Sequence, residues 1–138
     1  MENADKLVLL NESSQNFLIK TLDIKFTEMG DDYLVATMPV NERVYQPDGV
    51  LHGGATFALA ETVGSVAAYL FAKNNDQFVR GIEMSGNHLR SVSSGHVHAK
   101  AESIHNGRTT QIWQIRVTDD DDQLISLIKL TTITLPKK

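Results

Sequence analysis

Apolar positions gather in one long stretch of the chain and elsewhere alternate with polar ones. Over residues 53–72 they run nearly all round a helical projection, through Ala55, Phe57, Ala58, Leu59, Ala60, Val63, Val66, Ala67, Ala68, Leu70 and Phe71. That distribution predicts a helix about 30 Å long, buried on most sides. Glu61, Thr56, Thr62 and Ser65 interrupt it and both flanks are polar, so it makes a poor membrane span. Upstream, Ile24 and Phe26 alternate with polar residues before Gly30-Asp31-Asp32, and a second run follows over residues 33–40. This is the pattern of a hairpin. Downstream, three turn clusters (Ser93-Ser94-Gly95, Asn106-Gly107 and 119–122) separate stretches rich in Val, Ile, Thr and Trp. They predict strands at about 77–91, 96–105, 109–118 and 123–135. A shorter helix is expected at about 12–21, and Trp113, in mid-strand, is expected in the core.

The prediction is therefore an α+β chain in which one long helix covers one face of an antiparallel sheet. An edge strand left open in such a sheet is a liability that pairing with a second copy would cure. The length, 138 residues, suits a single domain over residues 1–138. With 13 Lys+Arg against 17 Asp+Glu the formal net charge is −4, which argues against general affinity for nucleic acid and makes any phosphate site local. The absence of cysteine excludes disulfides, thiolate nucleophiles and cysteine zinc sites. The polar, acidic start Met-Glu-Asn-Ala-Asp carries no secretory pattern, and a cytoplasmic location is expected.

Glu61 is the anomaly in the apolar helix. A carboxylate in low dielectric costs on the order of several kcal/mol unless it is paired, hydrogen-bonded or protonated, so it needs a partner or a function. Its stripe holds only small residues: Ala58, Gly64, Ser65 and Ala68. Either Ser65 holds a water beside the carboxylate or it bonds back to its own i−4 carbonyl. At the helix start stand Gly53 and Gly54, poor helix formers whose bare N–H groups lie at the positive end of the dipole and suit an anion or oxyanion. His52 either orients a carbonyl or caps this corner; Gln46 either meets a substrate oxygen or braces its loop. His96 and His98 share a strand face, two imidazoles without a third ligand in sequence. The aspartates at 119–122 read as a solvated hairpin loop.

Residues 46–68, with the pattern H-G-G-A-x-x-x-L-A-E-x-x-G-S-x-A, closely resemble the hotdog-fold acyl-CoA thioesterases of the phenylacetate and 4-hydroxybenzoyl-CoA thioesterase group. Gly81-Ile82-Glu83-Met84-Ser85-Gly86-Asn87-His88-Leu89-Arg90 and Ile112-Trp113-Gln114-Ile115 point within it to the 1,4-dihydroxy-2-naphthoyl-CoA thioesterase branch, and the likeness extends over about residues 15–135. The resemblance implies a hotdog fold, a long central helix wrapped by an antiparallel sheet of five to six strands. It implies a catalytic carboxylate at Glu61, an oxyanion amide at Gly53, carbonyl-orienting groups at His52 and Gln46, and a water- or nucleophile-holding hydroxyl at Ser65. Coenzyme A contacts fall on Asn87, His88, Arg90, Ser91, Gly107 and Arg108. It further implies an acyl-CoA substrate, no metal or redox cofactor, and a homodimer with shared active sites, itself paired as a dimer of dimers.

The expected reaction is hydrolysis of an acyl-CoA thioester, with an aromatic or naphthoyl acyl group suggested by Tyr45, Phe57, Tyr69 and Phe71 around the motif. Glu61 acts as nucleophile or as general base. Two other readings stay open at this point: a hotdog hydratase or dehydratase, and a module that binds acyl-CoA without turnover.

Overall fold

The computed structural model describes residues 2–73 and 77–137. Two short helices, α1 (Asn3–Ser13) and α2 (Phe17–Thr21), precede a hairpin of β1 (Lys25–Met29) and β2 (Tyr33–Pro39). A 3-10 turn (Glu42–Val44) leads to the long helix α3 (Gly53–Leu70), and four strands follow: β3 (Gln77–His88), β4 (His96–Asn106), β5 (Thr110–Thr118) and β6 (Leu124–Pro136). All six strands form one antiparallel sheet in the order β1-β2-β4-β5-β6-β3. The helix touches β2, β3, β4, β5 and β6, so the sheet wraps it as expected.

Alternation places the core. In β2 and β5 every second residue is buried, and Leu34, Ala36, Met38, Trp113, Ile115 and Val117 all face α3. From the helix, Leu59, Ala60, Val63, Gly64, Ala67 and Ala68 answer them. Gly64 sets the spacing: a Cβ there would stand 2.6 Å from Leu130 Cδ2, so only glycine lets α3 rest this low on the sheet. Trp113 is 0% exposed, and its indole N–H donates to Gln111 Oε1 at 2.9 Å. Gln111 Nε2 in turn donates to the Ala68 carbonyl at 3.0 Å, one of those that the end of α3 leaves without an intrahelical partner. Gln111→Ala would strand a buried indole N–H and a helix carbonyl together. We expect a loss of about 2–4 kcal/mol, a fall in Tm on the order of 10 °C in a thermal melt.

Two expectations need correction. The helix expected at 12–21 is two helices with a break between them. Ser13 and Ser14 both turn their hydroxyls back to the Leu10 carbonyl, at 2.9 and 2.7 Å, which competes with continuation. Phe17 then takes φ 69°, so the chain re-enters helix in a new direction. The second concerns α3. Within one chain it is buried on the sheet side alone: Glu61 is exposed, Phe57, Ala58 and Val66 are half-buried, and Tyr69 is 53% exposed. An all-round apolar composition reports how much of a helix wants cover, and one sheet covers one face.

Candidate active site

The site is built where a loop delivers the chain to the start of α3. Tyr45 and Leu51 bridge across a turn in which Gly49 N–H meets the Gln46 carbonyl at 2.9 Å and Gln46 N–H meets the Val50 carbonyl at 2.8 Å. Gly49 has φ 86°, a conformation glycine enters without steric cost. Gln46 Nε2 donates to Asp48 Oδ1 at 2.8 Å, so this side chain braces its own loop. The His52 N–H then donates to the Val44 carbonyl and Leu51 N–H to the Val92 carbonyl, both at 2.8 Å, which fixes the entry to the helix.

His52 is the N-cap of α3. Its Nδ1 accepts the Gly54 N–H at 2.7 Å, and a Cβ on Gly54 would lie 2.9 Å from that ring. The imidazole thus closes over a glycine, and with Nδ1 accepting, the neutral ring carries its proton on Nε2, a donor. The His52 carbonyl takes the Ala55 and Thr56 N–H groups at 3.0 and 3.2 Å. The Gly53 N–H is left without an acceptor among the described residues, at the positive end of an 18-residue helix.

Gly53 lines a cavity of about 310 Å³ together with Gln46, Thr56, His88, Arg90 and Ser91. The His88 imidazole lies over Gly53 so closely that a Cβ there would meet Nε2 at 2.7 Å. The ring is held by Ser126, whose Oγ is 2.7 Å from His88 Nδ1, and by Phe57, with ring centroids 5.3 Å apart. Strand β3 ends at His88, short of the expected 91. Leu89 and Arg90 turn out of the ladder, both donating to the Ile125 carbonyl, and so carry Arg90 and Ser91 to the cavity rim.

Glu61 and Ser65 lie elsewhere, on the exposed side of α3, in a cavity of about 380 Å³ with Leu18, Ile19, Ala58, Thr62 and Val66. Thr62 bonds back to its i−4 carbonyl, at 2.7 Å, and Ser65 follows Glu61 one turn along the same face. A larger apolar trough of about 620 Å³ adjoins, sharing Ser65 and Val66 and continuing over Leu9, Leu10, Tyr69 and Leu70. Since α3 is one unbroken helix, Gly53 and Glu61 lie about 12 Å apart along its axis.

One chain therefore gathers Gln46, Gly53, His88, Arg90 and Ser91, with His52 beside them, and holds Glu61 with Ser65 apart. Asn87 alternates with His88 and so faces the other side of the sheet, near Gln114 and Lys129. Gly107 and Arg108 form the β4–β5 turn, level with Ile133 and with Arg80 near the start of β3, whereas His88 is level with Ser126 at the other end. His98, which shares a face with His96, meets Asp120 Oδ1 through Nε2 at 2.8 Å. That hydrogen bond, with the His96 N–H, holds the Asp120 carboxyl below its ordinary range. Asp119 Oδ1 accepts the Asp121 and Gln123 N–H groups, closing the β5–β6 loop. Sequence reasoning gave no role to Ser126. It is 38 positions from His88, and only the antiparallel register of β3 with β6 brings them together.

Among the described residues no helix is long and apolar enough to cross a membrane. Comparison with known proteins gives the site its family. The model of the Thioesterase superfamily matches residues 48–126, the stretch from the Gly49 turn to Ser126. The chain is 43% identical to the 1,4-dihydroxy-2-naphthoyl-CoA hydrolase of Escherichia coli, covering 94% of each. It is also 43% identical to the proofreading thioesterase EntH of Cronobacter turicensis, covering 94% of this chain and 93% of that one. Among solved structures, a thioesterase from Haemophilus influenzae superposes with a TM-score of 0.90 at 41% identity, over 94% of this chain and 90% of its own. The chain belongs to the thioesterase superfamily and is a thioester hydrolase of the hotdog fold.

Proposed function

We propose that the protein hydrolyses an acyl-CoA thioester with an aromatic or naphthoyl acyl group, the Gly53 amide serving as oxyanion hole and Glu61 as the reacting carboxylate. The carrying observation is the Gly53 N–H, without an acceptor among the described residues at the head of α3, while His52 Nδ1 takes the neighbouring Gly54 N–H. A fixed N–H aimed where negative charge develops stabilises a tetrahedral intermediate by about 3–4 kcal/mol. Gln46 supplies a further amide at the cavity wall. The relatives' names, one a naphthoyl-CoA hydrolase, support the substrate class, and the trough along Val66, Tyr69 and Leu70 offers an aromatic acyl group apolar walls.

Two routes use the same carboxylate. As nucleophile, Glu61 bonds to the thioester carbon and the C–S bond breaks. The coenzyme A thiolate then takes a proton from water, and a second water hydrolyses the mixed anhydride. As general base, Glu61 takes a proton from a water held by Ser65 as that water attacks, and returns it to the departing thiolate. A single turnover in oxygen-18 water identifies the first route when water attacks the Glu61 carbon of the anhydride, since label then stays in the Glu61 carboxylate, whereas the second route labels the product acid alone.

The reading places Glu61 of one chain against Gly53 of a partner chain. Strand β3 has β6 on one side and an open edge on the other. Antiparallel pairing of two β3 edges about a two-fold axis would set the start of one strand beside the end of its copy. Arg108 of one chain would then approach Arg90 of its partner, which collects the expected coenzyme A contacts from two chains.

Thiol release from a panel of benzoyl-, naphthoyl- and long-chain acyl-CoA thioesters tests the assignment. Turnover should be highest on the aromatic members, and a fatty acyl preference would overturn the acyl class. Arg90→Ala and Arg108→Ala should each raise KM about 3- to 10-fold with little change in kcat and should flatten its salt dependence. If neither change moves KM, the phosphates lie elsewhere.

A further inference from the structure

Strand β3 carries a glycine at 81 for which the backbone gives no reason. The glycines with positive φ are Gly49 and Gly95, so Gly81 occupies a conformation open to any residue. Glycine inside a strand weakens it, and the ladder with β6 does slip here, between Gly81 and Glu83. What glycine provides at this position is space. A Cβ on Gly81 would stand 3.1 Å from Glu61 Oε2, 3.4 Å from Leu130 Cδ1 and 4.0 Å from Ser65 Oγ. Leu130 is the same side chain on which Gly64 lets α3 rest. One glycine on the helix and one on the strand thus bring Glu61 down against β3, with the Ser65 hydroxyl alongside.

We propose that Gly81 is a positioning residue: its missing side chain is the seat of the Glu61 carboxylate. The proposal rests on Glu61 being the reacting group. At 3.1 Å an alanine methyl is closer than carbon and oxygen ordinarily approach, and the flexible end of Glu61 yields by a few tenths of an ångström, an estimate from packing distances. Valine adds two more carbons where the carboxylate now lies and is at home in a strand, so it displaces the group and keeps the ladder. Because misplacement of a reacting group by about 1 Å costs on the order of 10²-fold, Gly81→Ala should lower kcat about 3- to 10-fold and Gly81→Val about 10²-fold, each with KM within about 2-fold of the parent.

The test is a double-mutant cycle on purified full-length protein, scored by thiol release from the best acyl-CoA substrate and by thermal melting. If Gly81 acts through Glu61, Gly81→Val with Glu61→Gln is no slower than Glu61→Gln alone. A Gly81→Val enzyme with parental kcat, beside a Glu61→Gln enzyme that has lost turnover, overturns the proposal and leaves the Glu61 assignment standing. Additive losses also overturn it, because Gly81 would then act independently of the carboxylate. Full turnover in Glu61→Gln sinks the underlying assignment instead. Should the valine chain fail to melt cooperatively, Gly81→Ala enters the same cycle with the same criterion.

Discussion

Glu61→Gln is expected to lower kcat by about 10²-fold or more while KM and the melting temperature stay near those of the parent. The substitution changes one atom of nearly equal size on an exposed side chain that makes no ion pair or hydrogen bond among the described residues. Its effect on stability should therefore stay within about 0.5 kcal/mol. Loss of turnover without loss of fold would isolate the chemical contribution of the carboxylate. A Glu61→Gln enzyme that turned over aromatic acyl-CoA at the parental rate would show that the reacting group is elsewhere.

The second expected result is that two inactive chains make an active protein. Gly53 and Glu61 lie about 12 Å apart on one straight helix, and a thioester carbon must come within about 3 Å of both the attacking group and the oxyanion donors. One chain cannot satisfy this. Two helices antiparallel across a two-fold axis can, each presenting its Glu61 to the other's Gly53. Chains carrying Glu61→Gln, mixed with chains carrying Gln46→Ala and His52→Ala, would form heterodimers with one doubly damaged site and one intact site. Activity per heterodimer should rise toward half the parental value, measured after subunit exchange verified by mass or tag. Verified exchange without recovered activity would place both groups in one chain, against the unbroken α3.

Much of this was legible because the strands and the long helix announce themselves by period. The four C-terminal strands begin and end within about three residues of the bounds expected at 77–91, 96–105, 109–118 and 123–135, since glycine and aspartate turn chemistry is local. The N-terminal break was not legible: it depends on two serines returning to one carbonyl and on a phenylalanine in a left-handed conformation, which no apolar pattern encodes. The site divides the same way. His52, Gly53, Glu61 and Ser65 are close in sequence on one helix and could be read together. The seat of Glu61 at Gly81 and the Ser126 hydroxyl behind His88 are made by pairing across β3 and β6, contacts that exist only once the sheet does. Glu61 was expected to be buried because composition shows a helix seeking cover without showing whose surface supplies it.

The order of strands in space has a consequence for synthesis. Strand β3 is made third, yet within the chain it is hydrogen-bonded to β6, the last strand in chain order. A nascent chain can close β1 on β2, lay down α3 and pair β4 with β5 while β3 still waits for its neighbour. Gly81 and His88 reach their places when β6 does. A chain stopped before residue 124 would hold α3 and four paired strands and have no ladder to hold β3, so translational errors near the end of the message would abolish the chemistry before they abolished the scaffold.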